Sequence, residues 1–200
     1  MPKISDEQRE ARRARVLDAA WRCFYEHGLH PTSMDMIIRA SGLSAGAVYG
    51  YFASKEDLIF AAVTTSLSRL RDELAPILEH AMRSTPASLV EEITRAISGF
   101  TARDGFNLTR IALHGWSEAQ RNERLRVLMR GYYAAFREQL ARVAATWQDQ
   151  GIIGRTATPE DVAQVLQSTI LGFVVQAAII GDADPAAHAR GLTGLQPVRA

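Results

Sequence analysis

The sequence predicts an all-α protein of about nine helices. Three observations lead there. Helix-opening residues stand just ahead of helical patterns at Ser5, Thr32, Ser44, Ser54, Thr85, Thr158 and Asp184. Apolar residues recur at helical spacing, and strand signals are nearly absent. Glycine or proline punctuates the patterned segments, as at Gly28, Gly42, Pro86, Pro159 and Pro185.

The elements follow in order. Ser5 with Gln8 forms a capping box for a first helix, with apolar residues Val16, Leu17, Ala20, Trp21 and Phe24, that stops at Gly28. Thr32 with Asp35 forms a second box, opening the short helix "MDMIIRAS" that ends at Gly42. Ser44 caps a third short helix over 45–52. Ser54 with Asp57 opens a long helix through Leu58, Ala62, Leu67, Leu70, Leu74 and Leu78. Thr85-Pro86 opens a helix over 86–102, and another is expected over 106–119. From Asn122 to Gln150, Leu125, Leu128, Met129, Tyr132, Phe136, Leu140, Val143 and Trp147 form a long amphipathic stripe. Thr158-Pro159 opens a helix to about Ile180, and Asp184-Pro185 a last one to about Leu195.

Composition narrows the function classes. At 200 residues and 47% hydrophobic content, the chain suits one or two soluble domains. A single cysteine, Cys23, cannot form an intrachain disulfide, so an intracellular, cytoplasmic protein is expected. The N-terminus lacks the apolar segment of a signal peptide, and the apolar stretch 170–180 is too short to span a bilayer. A net charge of +1 gives no broad attraction to nucleic acid, so any DNA binding rests on locally placed groups.

The chemistry concentrates in "GLSAGAVYGYFASKEDLI", 42–59, where small residues alternate with Tyr49, Tyr51 and Phe52. Three short helices, with "SGLS" between the second and third, outline a helix-turn-helix unit whose last helix enters the major groove. Small residues let that helix approach the DNA, and the methyls of Ala45 and Ala47 can meet a thymine methyl. Tyr49 and Tyr51 can donate to phosphate oxygens. Lys55, at the first turn of the next helix, is expected to hold a phosphate.

The stretch "HGLHPTSMDMIIRASGLSAGAVYGYFASKEDLI", 27–59, with Tyr49, Tyr51, Phe52 and Lys55 in place, resembles the N-terminal domain of TetR/AcrR-type transcriptional regulators. The resemblance implies a DNA-binding unit, 1–55, and a helical ligand-binding and dimerisation unit, 56–200. It implies phosphate contacts from Thr32, Ser33, Tyr49, Tyr51 and Lys55, and base-facing positions at Ala45, Gly46 and Ala47 beside Ser44. Gly50 departs from the larger polar residue common there. The implied partners are double-stranded operator DNA, a small, mostly apolar effector and a second copy of the chain, with no membrane and no cofactor.

Candidate effector contacts are His114, Trp116, Phe136, Trp147 and Phe173; Phe136 and Trp147 read first as core and second as pocket lining. The helix over 162–180 is apolar on nearly all sides and needs a partner. Ile170, Leu171, Val174, Val175 and Ala178 are its expected dimer contacts, with 122–150 alongside. Phe52 and Cys23 read as core. The basic arm (Lys3, Arg9, Arg12, Arg13, Arg15) reads either as a solvated face or as extra phosphate contacts. His114 and Glu118 share a helix face, but two ligands do not make a metal site. An all-α enzyme or carrier competes, yet no carboxylate–histidine set or nucleophile motif supports it. A helical interaction module also competes, against the Tyr49, Tyr51 and Lys55 spacing.

Overall fold

A computed structural model describes residues 5–102 and 108–195; Lys3 and the start of the helix expected from residue 106 lie outside the described residues. Among the described residues all regular structure is helical: α1 Asp6–His27, α2 Met34–Ser41, α3 Ala45–Tyr51, α4 Lys55–Ala81, α5 Pro86–Ala102, α6 Leu108–Ala119, α7 Glu123–Asp149, α8 Pro159–Ile179 and α9 Pro185–Gly194.

The caps explain where the helices begin. The hydroxyls of Ser5, Ser44 and Ser54 accept from the backbone N–H of Gln8, Ala47 and Asp57. Thr158 and Asp161 complete a reciprocal capping box, with Pro159 supplying the first helical residue. One cap differs from the sequence expectation. α2 opens on Ser33, whose hydroxyl accepts from the Met36 N–H, and not on Thr32. Thr32 is buried, and its hydroxyl is shared between the carbonyls of Cys23 (3.0 Å) and Gly28 (2.7 Å). The Thr32–Asp35 spacing fits a capping box, but Thr32 is drawn inward, its hydroxyl donating to carbonyls near the end of α1, and the cap falls to the next residue.

α2 ends on Gly42 in the left-handed conformation, φ 64°. A Cβ there would stand 2.7 Å from the flexible end of Arg15, which could move aside, so it is the backbone conformation that favours glycine at this turn. α4 runs through Pro76, which lies on its exposed side and removes one intrahelical hydrogen bond without ending the helix. Its 27 residues make a rod of about 40 Å.

Two apolar cores lie along that rod. The first gathers Val16, Phe24, Ile37, Val48 and Phe52 with Leu58, Ile59 and Ala62 of α4, and reaches Ala119, Leu125 and Met129. It therefore extends two turns beyond residue 55 and joins the helix-turn-helix unit to α6 and α7. The second gathers Leu74 and Leu78 with Leu89, Ile93, Leu140, Trp147, Leu166 and Ile170. Trp147 is fully buried, and its indole N–H donates to the Ala81 carbonyl at 2.8 Å, satisfying the end of α4. Gln167, buried on α8, donates to the Tyr133 carbonyl (2.9 Å) and accepts from Arg137 (2.7 Å), fixing α8 against α7.

By length and composition α8 is apolar enough to cross a membrane, which the stretch 170–180 alone did not reveal. It packs instead on α5, α6 and α7, and its outward side carries Gln164, Ser168 and Gln176 among apolar residues. Ile170 and Val174, expected as dimer contacts, are buried within the protomer, and Leu171 turns toward an internal cavity. An all-apolar helix leaves its own rotation undetermined by pattern, and the polar residues of the opposite stripe set it here.

Candidate nucleic-acid interface and effector cavity

α3 is held by one buried residue, Val48, which packs with Ile37 and Phe52 in the first core. Most of its other residues are open to a partner. Ala45, Gly46, Tyr49 and Gly50 are exposed, Ala47 is half-buried, and Tyr49 keeps 48% of its surface in water. No atom lies within 4 Å of where a Cβ at Gly46 or Gly50 would stand. The helix thus presents a low, backbone-lined face flanked by a phenol. The capping residues Ser33 and Ser44 are exposed at the N-termini of α2 and α3, where backbone N–H groups suit a phosphate. Tyr51 is half-buried against the first core, its ring serving packing as well as the surface.

Two expected phosphate contacts are otherwise engaged. The Thr32 hydroxyl is buried, as described above. The Lys55 ammonium donates to the carbonyls of Leu29 (3.1 Å), His30 (3.0 Å) and Thr32 (3.1 Å). An ammonium has three protons, so these carbonyls use all of them. Lys55 ties the α1–α2 loop to the start of α4. The carbonyls lie 23 to 26 residues upstream, beyond what local sequence spacing reveals. In the basic arm, Arg13 pairs with Glu10 and lies over the Phe52 ring at 5.3 Å.

Two polar contacts join the N-terminal helices to the helices above them. Arg124 of α7 reaches Asp57 at 2.9 Å and covers the Phe60 ring. The Ser54 hydroxyl and then Arg124 hold the Asp57 carboxyl below its ordinary value. Glu118 of α6 accepts from Arg121 (2.7 Å) and faces His30 at 3.8 Å. His114 is exposed, and among the described residues no three His, Cys, Asp or Glu side chains cluster as a metal site would.

Between the two cores lies a cavity of about 140 Å³. Its walls are apolar, with the rings of Trp116, Tyr132, Tyr133 and Phe136 facing Leu70 and Ile170. The Trp116 indole N–H donates to the Tyr133 hydroxyl at 2.7 Å. Burial raises the phenol pKa of both tyrosines, and among the described residues no Asp, Glu, Lys or Arg side chain lines the space. Of the five expected effector contacts, Trp116 and Phe136 line the cavity. His114 is on the surface, Trp147 is spent on the end of α4, and Phe173 is buried edge-on against His188 of α9. Sequence reasoning missed Tyr132, Tyr133 and Trp21; Trp21 stands at the edge of the α1 stripe, where pattern alone reads as core.

Residues 16–62 match the model of the bacterial regulatory proteins of the tetR family. Residues 90–194 match that of the C-terminal part of BetI-type transcriptional repressors. The chain belongs to the TetR family. This TetR-family chain is 34% identical over 142 residues to the HTH-type transcriptional regulator BetI of Rhizobium meliloti, covering 70% of this chain and 66% of the relative. It is 25% identical over 187 residues to the regulator UidR of Escherichia coli, covering 92% and 90%. Among solved structures, Salmonella enterica GusR superposes with a TM-score of 0.71 at 25% identity, over 97% of this chain and 98% of that one. A putative regulator of Saccharomonospora viridis in complex with choline superposes with a TM-score of 0.71 at 23% identity, over 92% and 94%. The TetR-family chain is thus a DNA-binding transcriptional regulator, a member of a family of regulators rather than of enzymes.

Proposed function

We propose that this regulator is a cytoplasmic homodimeric repressor that binds a palindromic operator and is released when a small, mostly apolar molecule fills the cavity. The observation that carries the reading is the position of the cavity along α4, whose first residue ties down the recognition unit. On this reading 1–55 binds DNA and 56–200 senses the effector. Ser33, Ser44, Ala45, Gly46, Ala47, Tyr49 and Tyr51 face the DNA. Thr32 and Lys55 position that set from behind.

The dimer face we assign is the outward stripe of α8, where Val165, Val175 and Ile179 are exposed beside Gly172 and Ala178. Val165, Val175 and Ile179, the last with 69% of its surface in water, share this one stripe, and a run of exposed apolar side chains on one face suits burial against a second copy. A cavity of this size holds a molecule of about one ring. The aromatic rings among its described wall residues suit a neutral ring, and equally a soft onium ion held by the ring faces. The choline bound to the S. viridis regulator lends the onium some support.

The test is reciprocal titration. DNA fragments selected by the protein from a random pool are bound with and without toluene or tetramethylammonium, and each compound is titrated with and without the selected DNA. Effector and operator should oppose each other by the same factor, typically about 5- to 150-fold. Equal affinities in both titrations would show that the cavity does not regulate DNA binding for that compound.

A further inference from the structure

The helix-turn-helix unit supplies a wall of the effector cavity. Trp21 lies in the middle of α1, and its ring lines the cavity together with Trp116, Met129 and Tyr133. On its other side Trp21 packs against the first core, which contains Val16, Leu17, Phe24 and Val48. Among the described residues before α4, Trp21 alone lines the cavity. We propose that Trp21 is an effector-binding residue, through which the DNA-binding unit touches the effector directly.

This rests on the cavity being the effector site and adds a route that α4 does not provide. α4 can pass a displacement only along its length. Trp21 sits on the helix that packs against α2, and α2 in turn supports α3 through Ile37 and Val48. A molecule seated against the Trp21 indole pushes α1 sideways relative to α6. The His30–Glu118 contact lies across the same boundary. Close packing makes such an interface respond by shifting between arrangements rather than by yielding locally. A ring on the Trp21 face also gives the site selectivity, because stacked or edge-on aromatic pairs favour flat, ring-sized occupants.

The protein contains three tryptophans, which makes the test direct. The full chain is labelled with 5-fluorotryptophan, the Trp21 and Trp116 fluorine signals are assigned with Trp21→Leu and Trp116→Phe, and toluene is titrated. Trp21 and Trp116 should shift with one shared Kd while the signal of Trp147, away from the cavity, stays in place. If Trp116 shifts and Trp21 does not, the cavity reading stands and the Trp21 proposal is overturned. If neither shifts, the cavity reading falls and the proposal falls with it. In Trp21→Leu the Trp116 fluorine should still report toluene, with affinity lower by about two- to tenfold. Amide exchange in 45–51, altered by toluene in the native chain, should no longer respond. An undiminished response in 45–51 would show that α4 alone carries the signal, and would overturn the proposal.

Discussion

Replacing Lys55 by methionine should destabilise the protein and leave the salt dependence of DNA binding nearly unchanged. The stem is kept and only the ammonium is lost. Three carbonyls lose their donor, those of Leu29, His30 and Thr32. The His30 bond is exposed, so water replaces it at little cost; the other two are part-buried. A hydrogen bond to a charged group contributes about 1.5–3 kcal/mol. Partial access of water to both remaining sites brings the expected loss to about 2–3 kcal/mol in all. For a chain of this length that lowers Tm by roughly 4–12 °C. Lys55→Arg should recover only part of the loss, because a planar fork cannot aim at three converging carbonyls. Urea unfolding gives the stability, and binding to selected fragments across a salt series gives the slope. Unchanged stability with a slope reduced by about one would refute this reasoning and return the ammonium to a phosphate.

Three further outcomes follow from the same geometry. Val165→Arg, on the exposed α8 stripe, should give monomers in sedimentation and lose operator binding; Val174→Arg should unfold or block the cavity instead, since Val174 is buried beside it. A monodisperse dimer from Val165→Arg would remove α8 from the interface. Tyr49→Phe should weaken operator binding by about 1 kcal/mol, roughly fivefold, without altering urea stability, because the phenol is exposed; unaltered binding would take the hydroxyl off the DNA. In a spectrophotometric titration, two of the five tyrosines, Tyr132 and Tyr133, should ionise above the ordinary phenol range. Their raised folded pKa favours the neutral phenols, so this stability is whole below pH 10 and is lost as pH rises through the folded values. Five tyrosines titrating together near pH 10 in the folded protein would contradict the burial.

The helices were legible because their starts are local events. A hydroxyl at Ser44, Ser54 or Thr158 needs only the next three residues to act, so spacing reveals it. Thr32 shows the limit of that logic, since its side chain is buried against the end of another helix, to whose carbonyls its hydroxyl donates. Lys55 shows it again at longer range. The site was half legible for a related reason. Exposure on α3 follows from small residues around a single buried Val48, and that much the composition of 42–59 announces. The cavity depends on which side of α8 turns inward and on a ring from α1 meeting rings from α6 and α7. Periodicity marks Trp21, Trp147 and Phe173 alike as apolar. Only packing separates the ring that borders empty space from the ring that caps α4 and the ring that meets His188.

The open ground around Gly46 and Gly50 has a consequence for how such a protein can change. Glycine within a helix costs about 0.5–1 kcal/mol relative to alanine. α3 carries that cost twice over seven residues, with nothing packed where either side chain would go. Side chains could be added at both positions, and exchanged at Ala45, without disturbing Val48 or the core behind it. Operator preference can therefore drift while the fold stays put, and each added side chain would trade closeness to the DNA for a firmer helix. The cavity has no such latitude, because its wall residues also hold the two cores together. The two specificities of the molecule are built with unequal freedom, so a lineage can acquire new target sites in single steps but must repack itself to acquire a new signal.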